Sequence, residues 1–243
     1  MKNYEDLLLE RVQNLSGKLA QKQREGCLTE ELSLCIRLAQ LQTQLDSPKV
    51  AVQFWQSCMQ IATDLEEEDE IWRAAAEIAK SYCKEGLIDE AEEFMKENLK
   101  GTNYSSNSDS LRLALLKSEV IAAMAPRTNR ELSVKAFLAY ERALKTLDLG
   151  FESAPSEDIW WWESVLFRSE LLKKLAKFDE TRFKEAIDVV STIVSGVSGN
   201  VLMSLRSKSI LAKIYFDMKE YTTALETAIS AIDQYKSDSR NAN

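Results

Sequence analysis

The sequence has 243 residues, 45% of them hydrophobic and 29% charged, which is the balance of a folded protein. Its seven glycines and three prolines are too few for the tight turns of a sheet fold, so long helices are favoured. A net charge of −8 disfavours nucleic-acid binding, and no apolar stretch is long enough for membrane insertion. The N-terminus lacks a secretory signal pattern, which predicts an intracellular protein, cytoplasmic or nuclear.

No predicted loop is long enough to separate two independently folded domains, so we expect a single domain over residues 1-243. We expect an all-α fold, an α-solenoid of about five antiparallel helix pairs preceded by an N-terminal helix over residues 4-25, which Gly26 ends. The pairs are predicted at residues 27-63, 70-100, 110-148, 156-195 and 200-236. Acidic, Ser/Asn-rich or Gly-rich stretches predict inter-pair loops at residues 65-70, 101-109, 150-156 and 196-199.

Small residues recur at matching places in three of these pairs. The last pair is the clearest: Leu211, Ala212 and Tyr215 share a face of its first helix, and its second helix opens with Tyr221 and Ala224. The second pair repeats this with Ala79, Tyr82 and Ala91, and the first does so loosely with Ala39 and Ala51. Small residues allow helices to approach closely, and the tyrosines are expected to fill the space between pairs.

These three copies resemble the tetratricopeptide (TPR) repeat, whose first helix carries Leu-Gly/Ala then Tyr and whose second carries an aromatic residue and two alanines. The resemblance covers about a third of the chain. The middle departs from it, because the packing alanines are separated by 40, 45, 50 and 38 residues instead of 34. Those alanines are Ala51, Ala91, Ala136, Ala186 and Ala224.

Motifs for catalysis or cofactors are lacking in the sequence. It contains no histidine, so a Ser-His-Asp or Cys-His arrangement is impossible, and it has no glycine-rich phosphate-binding motif. The four cysteines do not have the spacing of a zinc site and are interpreted as small buried hydrophobic residues. The acidic run over residues 66-70 is interpreted as a solvated loop. We therefore predict no enzyme, no catalytic residue, no metal site and no cofactor.

Three consecutive tryptophans, Trp160, Trp161 and Trp162, are the most unusual local feature of the sequence. Successive helical residues point about 100° apart, so the three rings cannot all face one neighbour. One interpretation is that they wedge between flanking helix pairs. The other is that one ring stays partly exposed and anchors a partner, since tryptophan is enriched at interface hot spots.

In TPR arrays the first helix of each pair lines a concave surface, and its outward side chains select the ligand. The resemblance therefore implies a partner-binding groove, and Arg73 and Lys80 would share one face of it because they are seven residues apart. Arg206 and Lys213 repeat that spacing. The full set of expected partner-binding residues is Arg37, Gln40, Arg73, Glu77, Lys80, Arg112, Trp160, Trp161, Trp162, Arg206, Ile210 and Lys213.

The predicted function is a non-catalytic scaffold or adaptor that binds a peptide, a helix or a subunit of a larger complex. The basic positions suit an acidic peptide or helix, although they can also be ordinary solubilising residues. TPR co-chaperones clamp heat-shock chaperone tails with a Lys-x-x-x-Asn; the sequence has none, so that partner is disfavoured. A self-associating scaffold, a homo-oligomer built through the last helix pair, is the main alternative, and a ligand-sensing or enzymatic helical domain is a further one.

Overall fold

A computed structural model describes residues 3-100, 107-126, 133-151, 159-196 and 200-241. Over these ranges the chain forms eleven helices and no strand, so the prediction of an all-helical fold is confirmed for the described part. The helices are α1 Tyr4–Glu25, α2 Leu28–Gln44, α3 Pro48–Asp64, α4 Glu68–Glu85, α5 Ile88–Asn98, α6 Asn107–Ala123, α7 Val134–Phe151, α8 Ile159–Leu175, α9 Thr181–Gly196, α10 Val201–Asp217 and α11 Tyr221–Asn241.

Helix α1 begins and ends at residues suited to those positions. The Asn3 side chain accepts a hydrogen bond from the Asp6 backbone N–H, and the Asp6 carboxylate accepts one from the Asn3 N–H. This reciprocal pair satisfies two of the N–H groups that a helix start leaves unbonded. Gly26 ends α1 in the left-handed conformation at φ 69°, which glycine adopts without a steric penalty.

The first five helices are connected by one turn geometry that recurs every 20 residues. Gly26, Asp46, Glu66 and Gly86 each follow a helix and each have a positive φ. At all four turns the N–H of the next residue donates to a carbonyl of the preceding helix, as Ser47 does to the Gln42 carbonyl and Leu87 to the Tyr82 carbonyl. Because the connections are so short, consecutive helices run antiparallel and pack side by side.

The described residues divide into two compact units. The first comprises α1 to α5 and the end of α6 from Glu119 onward. Helix α3 packs between α2 and α4, and its Trp55 and Cys58 are almost fully buried with Leu38 of α2 and Ile78 of α4. Burying such side chains is the main source of stability in this unit.

The second unit comprises α6 up to Ser118 and helices α7 to α11. Helix α10 packs against α8, α9 and α11, and Leu171 and Ile214 are fully buried. Gly150 allows α7 to lie close to α6: a Cβ at this position would come 2.7 Å from the Ala114 Cβ and 3.3 Å from the Leu111 Cα. No side chain larger than hydrogen fits there without a shift of the backbone.

The five packing alanines predicted from the sequence are all buried, which confirms that they lie between helices. The prediction of a loop over residues 65-70 is partly wrong, because α4 begins at Glu68 and includes Asp69 and Glu70 in its first turn. Carboxylates are favoured there by the positive end of the helix dipole. Most of the other three predicted loops lies outside the described residues. The predicted single domain over residues 1-243 stays a prediction.

Candidate protein-binding surfaces

Two of the predicted partner-binding residues, Arg37 and Gln40, lie on an open surface of the first unit. Both are on α2, and with Arg11 and Leu15 of α1 they line a cavity of about 300 Å³. Among the described residues neither Arg11 nor Arg37 forms a salt bridge. Both guanidinium groups are therefore available to carboxylates from outside the chain.

A second cavity of about 380 Å³ shares Arg11 and Leu15 with the first. It is lined along one face of α1 by Leu7, Glu10, Asn14 and Lys18 as well. The described lining of the two cavities holds three cationic side chains and a single carboxylate, that of Glu10. We call this pair of cavities the α1–α2 site. Its residues on α1 were missed from the sequence, although their spacing of three and four residues places them on one face.

The basic positions expected on α4 are largely neutralised by neighbours. Lys80 Nζ lies 2.6 Å from Glu77 Oε1 and 2.8 Å from Glu119 Oε2. Burial alone would lower the pKa of Lys80, but the attraction of Glu77 and Glu119 outweighs it and raises that pKa. Arg73 keeps 40% of its side chain exposed and lies 3.5 Å from Glu70. Hence Lys80 contributes to the stability of the unit and carries little net charge toward a partner.

Arg112 does not lie on an accessible surface, which corrects the prediction that it would join the groove. It is 4% exposed, and its guanidinium carbon lies 4.2 Å from the centroid of the Trp160 ring. Burial lowers the pKa of Arg112 to about 10. The guanidinium stacks on the aromatic face, so one of the three consecutive tryptophans helps to cover a buried cation.

The other two tryptophans are half-buried and contact each other. Trp161 lies edge-to-face with Trp162 at 4.7 Å between ring centroids, and edge-to-face with Phe151 of α7 at 6.1 Å. Such pairs contribute about 0.5–1.5 kcal/mol beyond their buried area. These contacts agree with the interpretation that Trp161 packs between neighbouring helix pairs. A role of Trp162 as an anchor for a partner stays a prediction.

Three of the predicted partner-binding residues are on α10. Of these, only Lys213 is both exposed and without an ion pair to another described residue. Arg206 forms a two-pronged ion pair with Glu163 of α8, which raises its pKa through the hydrogen bonds and the charge of that carboxylate. Ile210 is 6% exposed, so its predicted outward position is wrong. The buried residues of α10 are Met203, Ser207, Ile210 and Ile214. They recur at intervals of three and four residues, as do the predicted partner-binding residues Arg206, Ile210 and Lys213.

Another side of α10 borders a groove with α11 that was not predicted from the sequence. This cavity of about 700 Å³ is lined mainly by apolar side chains, with Lys173 and Lys213 at its edge. Phe216, Tyr221 and Leu225 lie along it, and each is more than half exposed. The prediction that Tyr221 fills space between helix pairs is wrong, because 58% of this residue is exposed.

The remaining chemistry of the described residues is limited. Cys35, Cys58 and Cys83 are buried and Cys27 is half-buried, and all four are free thiols. No group of three or more potential metal ligands occurs in the described ranges. None of the described helices combines the length and the apolar character needed to cross a membrane.

The resemblance to TPR-like repeats is also found among solved structures. The TPR-like repeats of a Podosopora anserina protein assigned as a kinesin light chain are 15% identical, with a TM-score of 0.45, covering 86% of this chain and 97% of that one. A single-residue variant of those repeats gives a TM-score of 0.46 at the same identity, covering 86% and 96%. BtubC (BKLC) from P. vanneervenii is 15% identical with a TM-score of 0.48, covering 96% and 92%. No family model and no curated protein matches the sequence.

Proposed function

We propose that the protein is a non-catalytic adaptor that binds an acidic segment of a partner protein at the α1–α2 site. The observation that carries the proposal is a pair of arginines, Arg11 of α1 and Arg37 of α2, which line the same cavity and form no salt bridge with another described residue. Gln40 and Gln44 add amide groups beside them. Guanidinium groups bind carboxylates through paired, charge-assisted hydrogen bonds, and the amides can bond the peptide backbone.

The local charge at this site contrasts with that of its surroundings. Residues 1-102 carry 20 Asp and Glu against 12 Lys and Arg, whereas residues 103-243 carry 19 of each. A cluster of three cations in the acidic part of the chain attracts an acidic segment locally while the rest of that surface repels it. Complementary charge of this kind sets register and selectivity more than raw affinity.

A non-catalytic role is supported by the side chains that the whole sequence offers. It contains no histidine, the usual general acid or base near neutral pH. The α1–α2 site contains one carboxylate, Glu10, so its described lining lacks the pair that acid–base catalysis by carboxylates requires. Its side chains are suited to binding and offer no nucleophile with a neighbouring base.

The proposal is tested by selecting binders from a random peptide library on the immobilised protein. We expect the enriched peptides to carry an excess of Asp and Glu. A synthetic copy of the best peptide, measured by fluorescence anisotropy, should bind the Arg11→Glu/Arg37→Glu variant about tenfold or more weakly. Raising the NaCl concentration should weaken binding to the native protein, because exposed charges are screened.

A matched control is Arg24→Glu/Lys49→Glu, which makes the same charge change at two exposed positions outside both cavities. That variant should bind the peptide as the native protein does. Enrichment of peptides with no acidic bias would contradict the proposal. Equal losses in the two double variants would also contradict it, because net charge and not the site would then explain the effect.

A further inference from the structure

The last helix presents a continuous apolar strip to the outside. Tyr221, Leu225, Ile232 and Tyr235 on α11 are 52–63% exposed, and Phe216 at the end of α10 is 62% exposed. We call these five residues, together with Ile229 at 48%, the apolar strip. Their positions on α11 follow helical spacing, so they lie along one side of the helix for about four turns.

The strip borders the groove between α10 and α11 instead of standing alone. Ala212 of α10 and Ala224 and Ala228 of α11 line the floor of that groove. Small side chains between larger ones leave space for an incoming helix to approach closely. Within the second unit, one helix already packs onto a pair of helices in this way: α10 packs against both α8 and α9.

The exposed area of the strip is comparable with the largest apolar patch that a monomer ordinarily leaves to solvent. The exposed parts of its six side chains amount to on the order of 700 Å². The largest apolar patch of a typical monomer is about 300–600 Å², whereas a stable interface buries about 800 Å² on each partner. The strip alone therefore supplies most of the surface that one side of a stable dimer needs.

We propose that the occupant of this groove is α11 of a second copy of the chain, in a two-fold symmetric dimer. In such a dimer the same strip serves both copies, so no further complementary surface is required. With the two α11 helices antiparallel and crossing near Ala228, Lys236 of each copy approaches Glu220 of the other, since both lie eight residues from Ala228. The two symmetry-related pairs add favourable charge contacts at the ends of the apolar interface.

A head-to-tail arrangement, with α1 of one copy on α11 of the next, is disfavoured by the shape of α1. Tyr4, Leu7 and Leu9 are the exposed large hydrophobic residues of α1. Leu7 and Leu9 point to nearly opposite sides, because residues two apart on a helix differ by about 200°. Only Tyr4 and Leu7 can share a face, which is far too little apolar surface to cover the strip.

The proposal is tested by the mass of the 243-residue chain in solution, measured by sedimentation equilibrium between about 1 and 100 μM. The expected result is a mass rising to twice 27.6 kDa and no further. Leu225→Glu/Ile232→Glu should remain at 27.6 kDa over the same range. Both replaced side chains are more than half exposed, so the helical circular dichroism signal of the variant should match that of the native protein.

The matched control is Val134→Glu/Leu138→Glu, which adds the same charges at exposed aliphatic positions of α7. This control should still dimerise. A native protein that stays monomeric, a dimer that persists in the strip variant, or a mass that grows beyond the dimer would each overturn the proposal. Arg11→Glu/Arg37→Glu should dimerise normally, so failure of the α1–α2 site and failure of the strip are distinguishable.

Discussion

Helices α3 and α11 both carry apolar residues along one side, and their surroundings are opposite. Helix α3 packs against α2 on one side and α4 on the other, which leaves its Trp55 only 2% exposed. Among the described helices α11 packs against α10 alone, so Tyr221 and Tyr235 stay more than half exposed. The two helices differ in the number of neighbouring helices that pack against them. An apolar stripe becomes core only where a second helix covers it.

The largest loss of stability is expected when a side chain of α3 that is buried between α2 and α4 is replaced. Trp55→Ala should lower the free energy of unfolding by about 3–5 kcal/mol, because it leaves a cavity that the packed helices cannot fill. Trp55→Phe should cost clearly less, since the indole N–H has no hydrogen-bond partner among the described residues. Urea unfolding followed by far-UV circular dichroism measures both. A loss below about 1 kcal/mol for Trp55→Ala would show that α3 is not tightly covered.

A smaller loss of stability is expected at Gly150, a buried glycine where two helices approach closely. Gly150→Ala should destabilise the second unit by about 1–3 kcal/mol, because the added Cβ meets the Ala114 side chain and the Leu111 backbone. Gly17 is the control, as nothing described lies within 4 Å of a Cβ there. Gly17→Ala should stabilise α1 by about 0.5–1 kcal/mol through helix propensity. Thermal unfolding of the two variants should therefore shift in opposite directions, and shifts of the same sign would contradict this account.

The start of α9 should respond to pH. Hydrogen bonds from the Thr181 hydroxyl and backbone N–H lower the pKa of the Asp179 carboxyl below its ordinary value of 3.8. The stabilising contribution is therefore present above pH of about 4 and is lost as pH falls through the lowered pKa. Asp179→Asn should reduce stability at pH 7 and have less effect at low pH. An NMR titration in which the Asp179 carboxyl has a midpoint at or above 3.8 contradicts this.

The smallest effect on folding is expected in the apolar strip. Leu225→Ser should change the free energy of unfolding by less than about 0.5 kcal/mol at concentrations where the protein is monomeric, because the side chain is 62% exposed. Measured at high concentration, the same variant should appear less stable than the native protein, since association stabilises only the native dimer. A large loss in the monomer would show that α11 is covered in a way that the comparison with α3 does not allow.

The sequence predicted the fold better than it predicted the site, for physical reasons visible in particular residues. Helices and packing alanines follow from local spacing, which is why Ala79 and Ala91 were identified correctly. Ile210 was misplaced because α10 carries apolar residues on more than one face, and only packing against α8 and α9 decides which face is buried. The local sequence pattern does not determine which face of α10 is buried.

The charged residues show the same limit. Lys80 is neutralised partly by Glu119, 39 residues away, and Arg112 stacks on Trp160, 48 residues away. Neither partner is visible in the local sequence. The α1 residues of the α1–α2 site were missed for a related reason: Arg11 becomes part of a cavity only once α1 packs beside α2. Residues whose role depends on a distant helix need the tertiary structure.

The claim that α11 is an uncovered face awaiting a second copy is tested most directly by hydrogen exchange measured at two protein concentrations. Backbone amides of α3 and α11 are compared by mass spectrometry at about 1 μM and about 100 μM. Exchange in α11 is expected to slow at the higher concentration, while exchange in α3 is expected to stay the same. Exchange in α11 that is independent of concentration, in a protein whose α3 is protected, would contradict that claim.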